Sequence, residues 1–196
     1  MRIGILGGTF DPPHSVHLNL ARTAMQELRL DEVLFVPANK NPLKSAAALT
    51  SGKQRLEMVR RLIAKEPGMA VSDMEITRGG ASYTVDTLNE LQAVMPAEYW
   101  LLLGADAAKS LSEWGKPQKL ARLCRIGVAL RPPTTETELL TKIPLEFQDK
   151  VDIIRMNPQT VSSSELRDRL LNGQSVAAWI PPEVVRYIQD NKLYRG

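Results

Sequence analysis

The chain has little with which to staple itself together. Its single cysteine, Cys124, rules out an internal disulfide. The surrounding Leu123-Cys124-Arg125-Ile126-Gly127-Val128 reads as a buried strand, so the thiol is expected to be an inert core group. Histidine is nearly as scarce, with two in 196 residues. No apolar run approaches the roughly 20 residues needed to cross a bilayer. The apolar stretch at the N-terminus is too short for a signal-peptide core and runs into Gly7-Gly8, so it reads as a first strand. We therefore expect a cytoplasmic protein with no membrane partner. Neither sign of charge dominates: 25 Lys and Arg stand against 22 Asp and Glu, scattered rather than blocked. That balance suits small anionic substrates at least as well as nucleic acid. Basic clusters and aromatic platforms are both missing, so no nucleic-acid partner is expected. There is no internal repeat, low-complexity tract or Ser/Gly linker.

What the chain does have is alternation. Candidate strands cover Arg2–Leu6, Glu32–Pro37, Met69–Glu75, Tyr99–Gly104, Arg125–Arg131 and Val151–Met156. Between and after them, helical patterns cover Ser15–Arg29, Gly52–Lys65, Thr84–Met95, Ala107–Glu113, Pro117–Leu123, Ser163–Leu171 and Pro182–Asn191. Such alternation predicts an α/β fold with a doubly wound parallel sheet and a ligand crevice at the strands' C-terminal ends. Thr50 or Ser51 is expected to cap the second helix. Asn172-Gly173 should stop one late helix and Pro181-Pro182 start another. Pro132–Pro144 reads as an exposed excursion. We expect a single domain over residues 1–196, with a small helical C-terminal part from about residue 160.

The informative segment is Gly7-Gly8-Thr9-Phe10-Asp11-Pro12-Pro13-His14-Ser15-Val16-His17, between the first strand and the first helix. Glycines let the backbone turn tightly and approach a ligand. Free N–H groups at a helix start, with the helix dipole, favour a phosphate. Neither Gly-x-Gly-x-x-Gly nor a P-loop occurs, so this is not one of the common nucleotide fingerprints. Both histidines sit here. His17 shares a helical face with Leu20, Ala21, Ala24 and Leu28, which places it at the mouth of the core. Asp11 is the only obvious third ligand nearby, so no protein metal site is expected.

The segment Gly7-Gly8-Thr9-Phe10-Asp11-Pro12-x-His14-x-x-His17 resembles the signature of the HxGH-motif nucleotidyltransferase superfamily. Val161-Ser162-Ser163-Ser164-Glu165-Leu166-Arg167 resembles that superfamily's second motif. Three further segments are similar to the bacterial nicotinate mononucleotide adenylyltransferases: Val36–Lys44, Ser82–Leu88, and Gly104-Ala105-Asp106 with Leu111-x-x-Trp114. The likeness runs from Arg2 to Tyr194. Val16 stands where a glycine is usual, and is expected to bring a branched side chain close to the nucleotide. Leu43 stands where a histidine is common.

The resemblance implies a Rossmann-like nucleotidyltransferase fold. It also implies transfer of AMP from ATP, with Mg2+, to nicotinate mononucleotide, giving nicotinate adenine dinucleotide and pyrophosphate. By the same likeness, His14, His17, Lys44 and Arg167 are the catalytic candidates. Gly7, Gly8, Thr9, Phe10, His14, His17, Gly104, Asp106, Ser163 and Arg167 would hold ATP. Asn39, Lys44, Tyr83, Thr84 and Trp114 would hold the mononucleotide. Two alternatives remain open at this point. One is an adenylyltransferase of the same superfamily acting on nicotinamide mononucleotide or phosphopantetheine; the other is a non-catalytic nucleotide-binding module. Oligomeric state is not legible.

Overall fold

Six strands, β1 (Arg2–Gly8), β2 (Glu32–Pro37), β3 (Met69–Val71), β4 (Glu98–Gly104), β5 (Arg125–Leu130) and β6 (Val151–Arg155), form one sheet in the order β3-β2-β1-β4-β5-β6. Every neighbouring pair is parallel. The computed structural model describes residues 1–43, 48–130, 134–157 and 161–195. The period of two along each strand sorts side chains to two faces. Leu6, Val33, Phe35, Trp100 and Leu102 turn one way and pack with α1 (Ser15–Glu27), α2 (Gly52–Ile63), α8 (Ser163–Leu171) and α9 (Pro182–Asp190). Ile3, Ile5, Leu34, Val36, Leu101 and Leu103 turn the other way. They pack with α4 (Thr84–Val94), α5 (Ala105–Lys109), α6 (Pro117–Leu123) and α7 (Glu136–Lys142). Coverage of both faces is why the strands read as nearly continuous apolar runs.

The chain steps outward from β1 through β2 to β3, then returns to lay β4 on the other side of β1. The order therefore reverses between β1 and β4, and the crevice beyond their carboxyl ends is where such sheets bind ligands. The C-terminal helices belong to the first core: Leu166, Val176, Ile180, Val184, Ile188 and Tyr194 all join it. Among the described residues no helix is long and apolar enough to cross a membrane.

Several local expectations need correction. The third strand stops at Val71, because only three residues pair with β2; a short helix, α3 (Met74–Arg78), follows. Glu75, expected in the strand, is instead buried, with its carboxylate accepting from Thr87 Oγ at 2.5 Å. The helix expected at Ala107 begins at Ala105 and breaks after Lys109, with a 3-10 turn at Leu111–Glu113. Within the expected excursion Pro132–Pro144, residues 132 and 133 lie outside the described residues. The remainder holds α7, capped by Thr135 Oγ on Glu138 N–H, and buries Leu139 and Ile143 against the second core. Of the two cap candidates, Ser51 is the one used. Cys124 is buried at the end of α6, just before β5 rather than inside a strand, and burial pushes its thiol up to about 12.

Candidate active site

A cavity of about 1050 Å3 opens at the β1/β4 crevice. That volume is at the upper end for small-ligand pockets and leaves room for two nucleotide-sized groups. Its lining includes Gly7, Gly8, Thr9, Phe10, His14 and His17 from the first turn and helix entrance. Gly8 is held close: a Cβ there would meet the Phe10 ring at 3.0 Å. Phe10 has φ 53, a left-handed conformation that costs a non-glycine residue roughly 1–2 kcal/mol. Its ring is buried, edge-on to His17 with centroids 5.0 Å apart and tilted against Phe35 at 5.8 Å.

His14 caps α1, and its backbone N–H donates to His17 Nδ1 at 3.2 Å. Accepting at Nδ1 leaves Nε2 as the donor of the His17 ring. The two rings are 4.0 Å apart between centroids. Burial pushes the His14 pKa down to about 4, so at neutral pH its ring is uncharged. This has a consequence for stability. The unfolded chain takes up a proton near pH 6.5, before folded His14 does, so the contribution is full above that pH and is lost as pH falls toward 4. The loss over this window is on the order of 3 kcal/mol. His14→Gln should flatten the fall of the denaturation midpoint between pH 6.5 and 4. Parallel pH curves for the two proteins would count against a desolvated His14.

The second motif is tied directly to the first. Ser163 Oγ donates to Pro12 O at 2.9 Å, and Arg167 Nη1 donates to Asp11 O at 2.8 Å. Arg167 Nη2 also reaches Ser164 Oγ at 3.0 Å. Ser162 caps α8, its Oγ accepting from Glu165 N–H. Ser162, Ser163, Ser164 and Arg167 all line the cavity beside the histidines.

The lining of the same cavity also includes Asn41, Leu43, Glu75, Ser82, Tyr83, Thr84 and Trp114. Thr84 opens α4, with Tyr83 as its N-cap residue. Tyr83 O accepts from Asp86 N–H and Thr87 N–H; among the described residues, Thr84 N–H and Val85 N–H have no such partner. The Tyr83 ring packs on Gly115, next to Trp114, whose Nε1 donates to Ser110 Oγ at 3.3 Å.

The match to known proteins covers this whole arrangement. Residues 5–169 match the cytidylyltransferase-like family. A "probable nicotinate-nucleotide adenylyltransferase" of Bordetella avium is 40% identical over 99% of this chain and 98% of its own length. One from Dehalococcoides mccartyi is 38% identical over 99% and 97%. The chain belongs to the nicotinate-nucleotide adenylyltransferase family. Its fold is also that of a solved structure, "Plasmodium falciparum nicotinic acid mononucleotide adenylyltransferase complexed with NaAD". The two share 22% identity and a TM-score of 0.81 over 98% of this chain and 97% of that one.

Some residues expected at the site stand elsewhere or carry other bonds. Gly104 and Asp106 sit on the exposed rim at the end of β4, outside the cavity lining, which there consists of Leu101, Leu103 and Ala107. Asn39 is used in bracing: its N–H donates to Ser82 Oγ at 2.9 Å and its Nδ2 to Gly80 O at 2.9 Å. Lys44 lies outside the described residues. Val16 packs against the first core and is not among the residues lining the cavity, so its branched side chain does not intrude there. Leu43 is half-exposed on the cavity wall.

Sequence reasoning overlooked the supports beneath the turn. The Asp11 carboxylate is buried and accepts from Leu49 N–H (2.7 Å), Thr50 Oγ (2.6 Å) and Tyr194 Oη (2.6 Å). Burial, together with that carboxylate, raises the Tyr194 phenol's pKa. Arg55 is 1% exposed. One signal was available: Arg55 occupies the apolar stripe it shares with Met58, Val59 and Leu62, where a surface arginine does not belong.

Proposed function

We propose that this enzyme transfers the adenylyl group of ATP to nicotinate mononucleotide, forming nicotinate adenine dinucleotide and pyrophosphate in NAD biosynthesis, as a cytoplasmic protein. The observation that carries this reading is the meeting of two motifs on one cavity. The histidine turn, the start of the Ser163–Arg167 helix, and Tyr83, Thr84 and Trp114 all line it. A phosphate oxygen of the mononucleotide, already ionised at neutral pH, attacks the α-phosphorus; the bond to the β-phosphate oxygen breaks and pyrophosphate leaves. No base or covalent intermediate is required. The residues therefore act by alignment and by donating to oxygens that gain charge.

In this reading His14 and His17 donate to the α-phosphoryl and triphosphate oxygens. Ser163 and Arg167 hold the β- and γ-phosphates, and Gly7, Gly8, Thr9 and Phe10 form the floor under the nucleotide. Gly104 and Asp106 reach the adenosine ribose from the rim, and Lys44 serves a substrate phosphate. Asn39, beyond its bracing bonds, belongs to the mononucleotide side. Among the described residues no group of three His, Cys, Asp or Glu is placed to hold a metal, and the Asp11 carboxylate is already engaged. We read magnesium as entering with ATP, as part of the substrate, held by phosphate oxygens. We read residues 160–196 as part of the same catalytic domain.

The test is pyrophosphate release and dinucleotide formation from ATP, magnesium and a panel of acceptor phosphates. ATP binding without turnover on any acceptor would favour a binding module instead. Acid should be preferred over amide. Thr84 N–H and Val85 N–H, at the positive end of α4, suit a carboxylate, whereas an amide would direct its own NH2 at a donor. An unpaired buried donor costs about 1–3 kcal/mol, so kcat/KM should favour nicotinate over nicotinamide mononucleotide by roughly tenfold to a hundredfold. Equal efficiencies would overturn the specificity and leave adenylyl transfer standing. Trp114→Ala should raise KM for both mononucleotides, since a stacked ring reads the pyridinium and not its substituent; an unchanged KM would reduce Trp114 to core packing.

A further inference from the structure

Among the described residues, Arg55 is the one fully buried arginine or lysine, and the chemistry above does not use it. Its guanidinium is surrounded by backbone carbonyls. Nη1 donates to Thr9 O at 2.8 Å and to Ala38 O at 2.6 Å, Nε to Thr50 O at 3.3 Å, and Nη2 to Asn39 O at 3.3 Å. These carbonyls come from three separate places: the turn after β1, the end of β2, and the residue before the cap of α2. No carboxylate is among its hydrogen-bond partners in the described residues. Asp11 is linked to it by hydrogen bonds through Thr50, whose Oγ donates to Asp11 while its carbonyl accepts from Arg55. A rigid five-donor fork suits this task; a lysine ammonium has three donors and no fork.

The bond to Thr9 O has a geometric consequence. Among the described residues the only cis peptide is Asp11–Pro12, so the Thr9–Phe10 peptide is trans. In a trans peptide the C=O and the following N–H point in opposite directions. Turning the Thr9 carbonyl down onto Arg55 therefore aims the Phe10 N–H up and away from it. That N–H makes no hydrogen bond among the described residues, and Thr9, Phe10 and His14 together line the cavity. Phe10 is also held in a left-handed conformation that relaxes unless something restrains it. We infer that Arg55 is a positioning residue for adenylyl transfer, pinning the Thr9 carbonyl so that the Phe10 N–H is presented to the transferred phosphoryl group. The inference rests on the adenylyl-transfer reading above.

Two measurements on the full-length protein test it. Arg55→Lys keeps the charge but cannot hold four carbonyls. It should lower kcat by about tenfold to a hundredfold, short of or equal to the loss of a whole transition-state donor, with KM for nicotinate mononucleotide within about twofold. Normal kcat in a folded Arg55→Lys protein would overturn the assignment. So would equal damage to both substrates' KM without a fall in kcat. Independently, in 15N-labelled wild type, α,β-methylene-ATP should shift the Phe10 amide resonance strongly. A Phe10 amide that stays put while those of Gly7 and Gly8 move would also overturn it, even if the lysine variant fails to fold. A wild type that forms no dinucleotide with any acceptor, yet shifts Phe10 on binding the analogue, would sink the activity reading and leave the positioning of Phe10 in place.

Discussion

Replacing His17 with alanine is expected to lower kcat by roughly a hundredfold or more, the scale of losing one preorganised transition-state donor. The structure sharpens the reason. His17 lies in the first turn of α1, its Nδ1 is occupied by the His14 N–H at 3.2 Å, and its ring is wedged edge-on against Phe10. With one nitrogen committed and the ring packed, Nε2 is a donor of fixed direction, and that direction gives a hydrogen bond its catalytic value. Truncation also leaves the His14 N–H without this acceptor, so a stability loss of about 1–2 kcal/mol is expected alongside. The two effects separate experimentally: single-turnover rates at saturating substrates report the chemistry, and a thermal melt reports the fold. Near-normal turnover in a folded His17→Ala protein would remove His17 from the reaction.

The second large effect is expected at Arg167. Arg167→Lys should raise KM for ATP about tenfold or more while leaving KM for nicotinate mononucleotide nearly unchanged, because a bidentate phosphate contact is lost without loss of charge. In the structure this arginine has two duties. Nη1 holds Asp11 O at 2.8 Å and Nη2 holds Ser164 Oγ at 3.0 Å, which leaves its other N–H groups for an anion in the cavity. A lysine cannot anchor the turn and grip a phosphate together. Steady-state kinetics with each substrate varied in turn checks this. Equal increases in both KM values would assign Arg167 to holding the turn in shape and not to ATP.

How far the site could be read in advance depends on the range of the interactions. The Gly7–His17 turn and the Ser162–Arg167 helix start are local constellations. Each carries its chemistry within one short stretch of chain, so composition and spacing expose it. Both do line one cavity. Glu75 shows the opposite case. Read along the chain it continues an edge strand, but its environment is set by Thr87 and Ser82 from another element, and burial raises its carboxyl pKa. Asn39 likewise has bonds that no spacing records: both of its nitrogens brace the Gly80–Ser82 loop. Val16, a departure from the usual glycine, is partly buried against the first core and is not among the residues lining the cavity.

The sequence by itself determined the order of the six strands, most of the helices between them, the parallel sheet, the family and the two motifs, but not α3 or α7. Periodicity, caps and short constellations depend on neighbours in the chain, and these persist whatever the rest does. Tertiary structure alone decided what stands beneath the site. Tyr194, near the end of the chain, donates to Asp11 near its start, and Arg55 gathers carbonyls from three loops. Those contacts exist only because the sheet order brings the carboxyl ends of β1 and β2 together and the first core draws α9 and Tyr194 against them. A buried polar group must find its partners wherever the fold supplies them, and no spacing along the chain records where that will be.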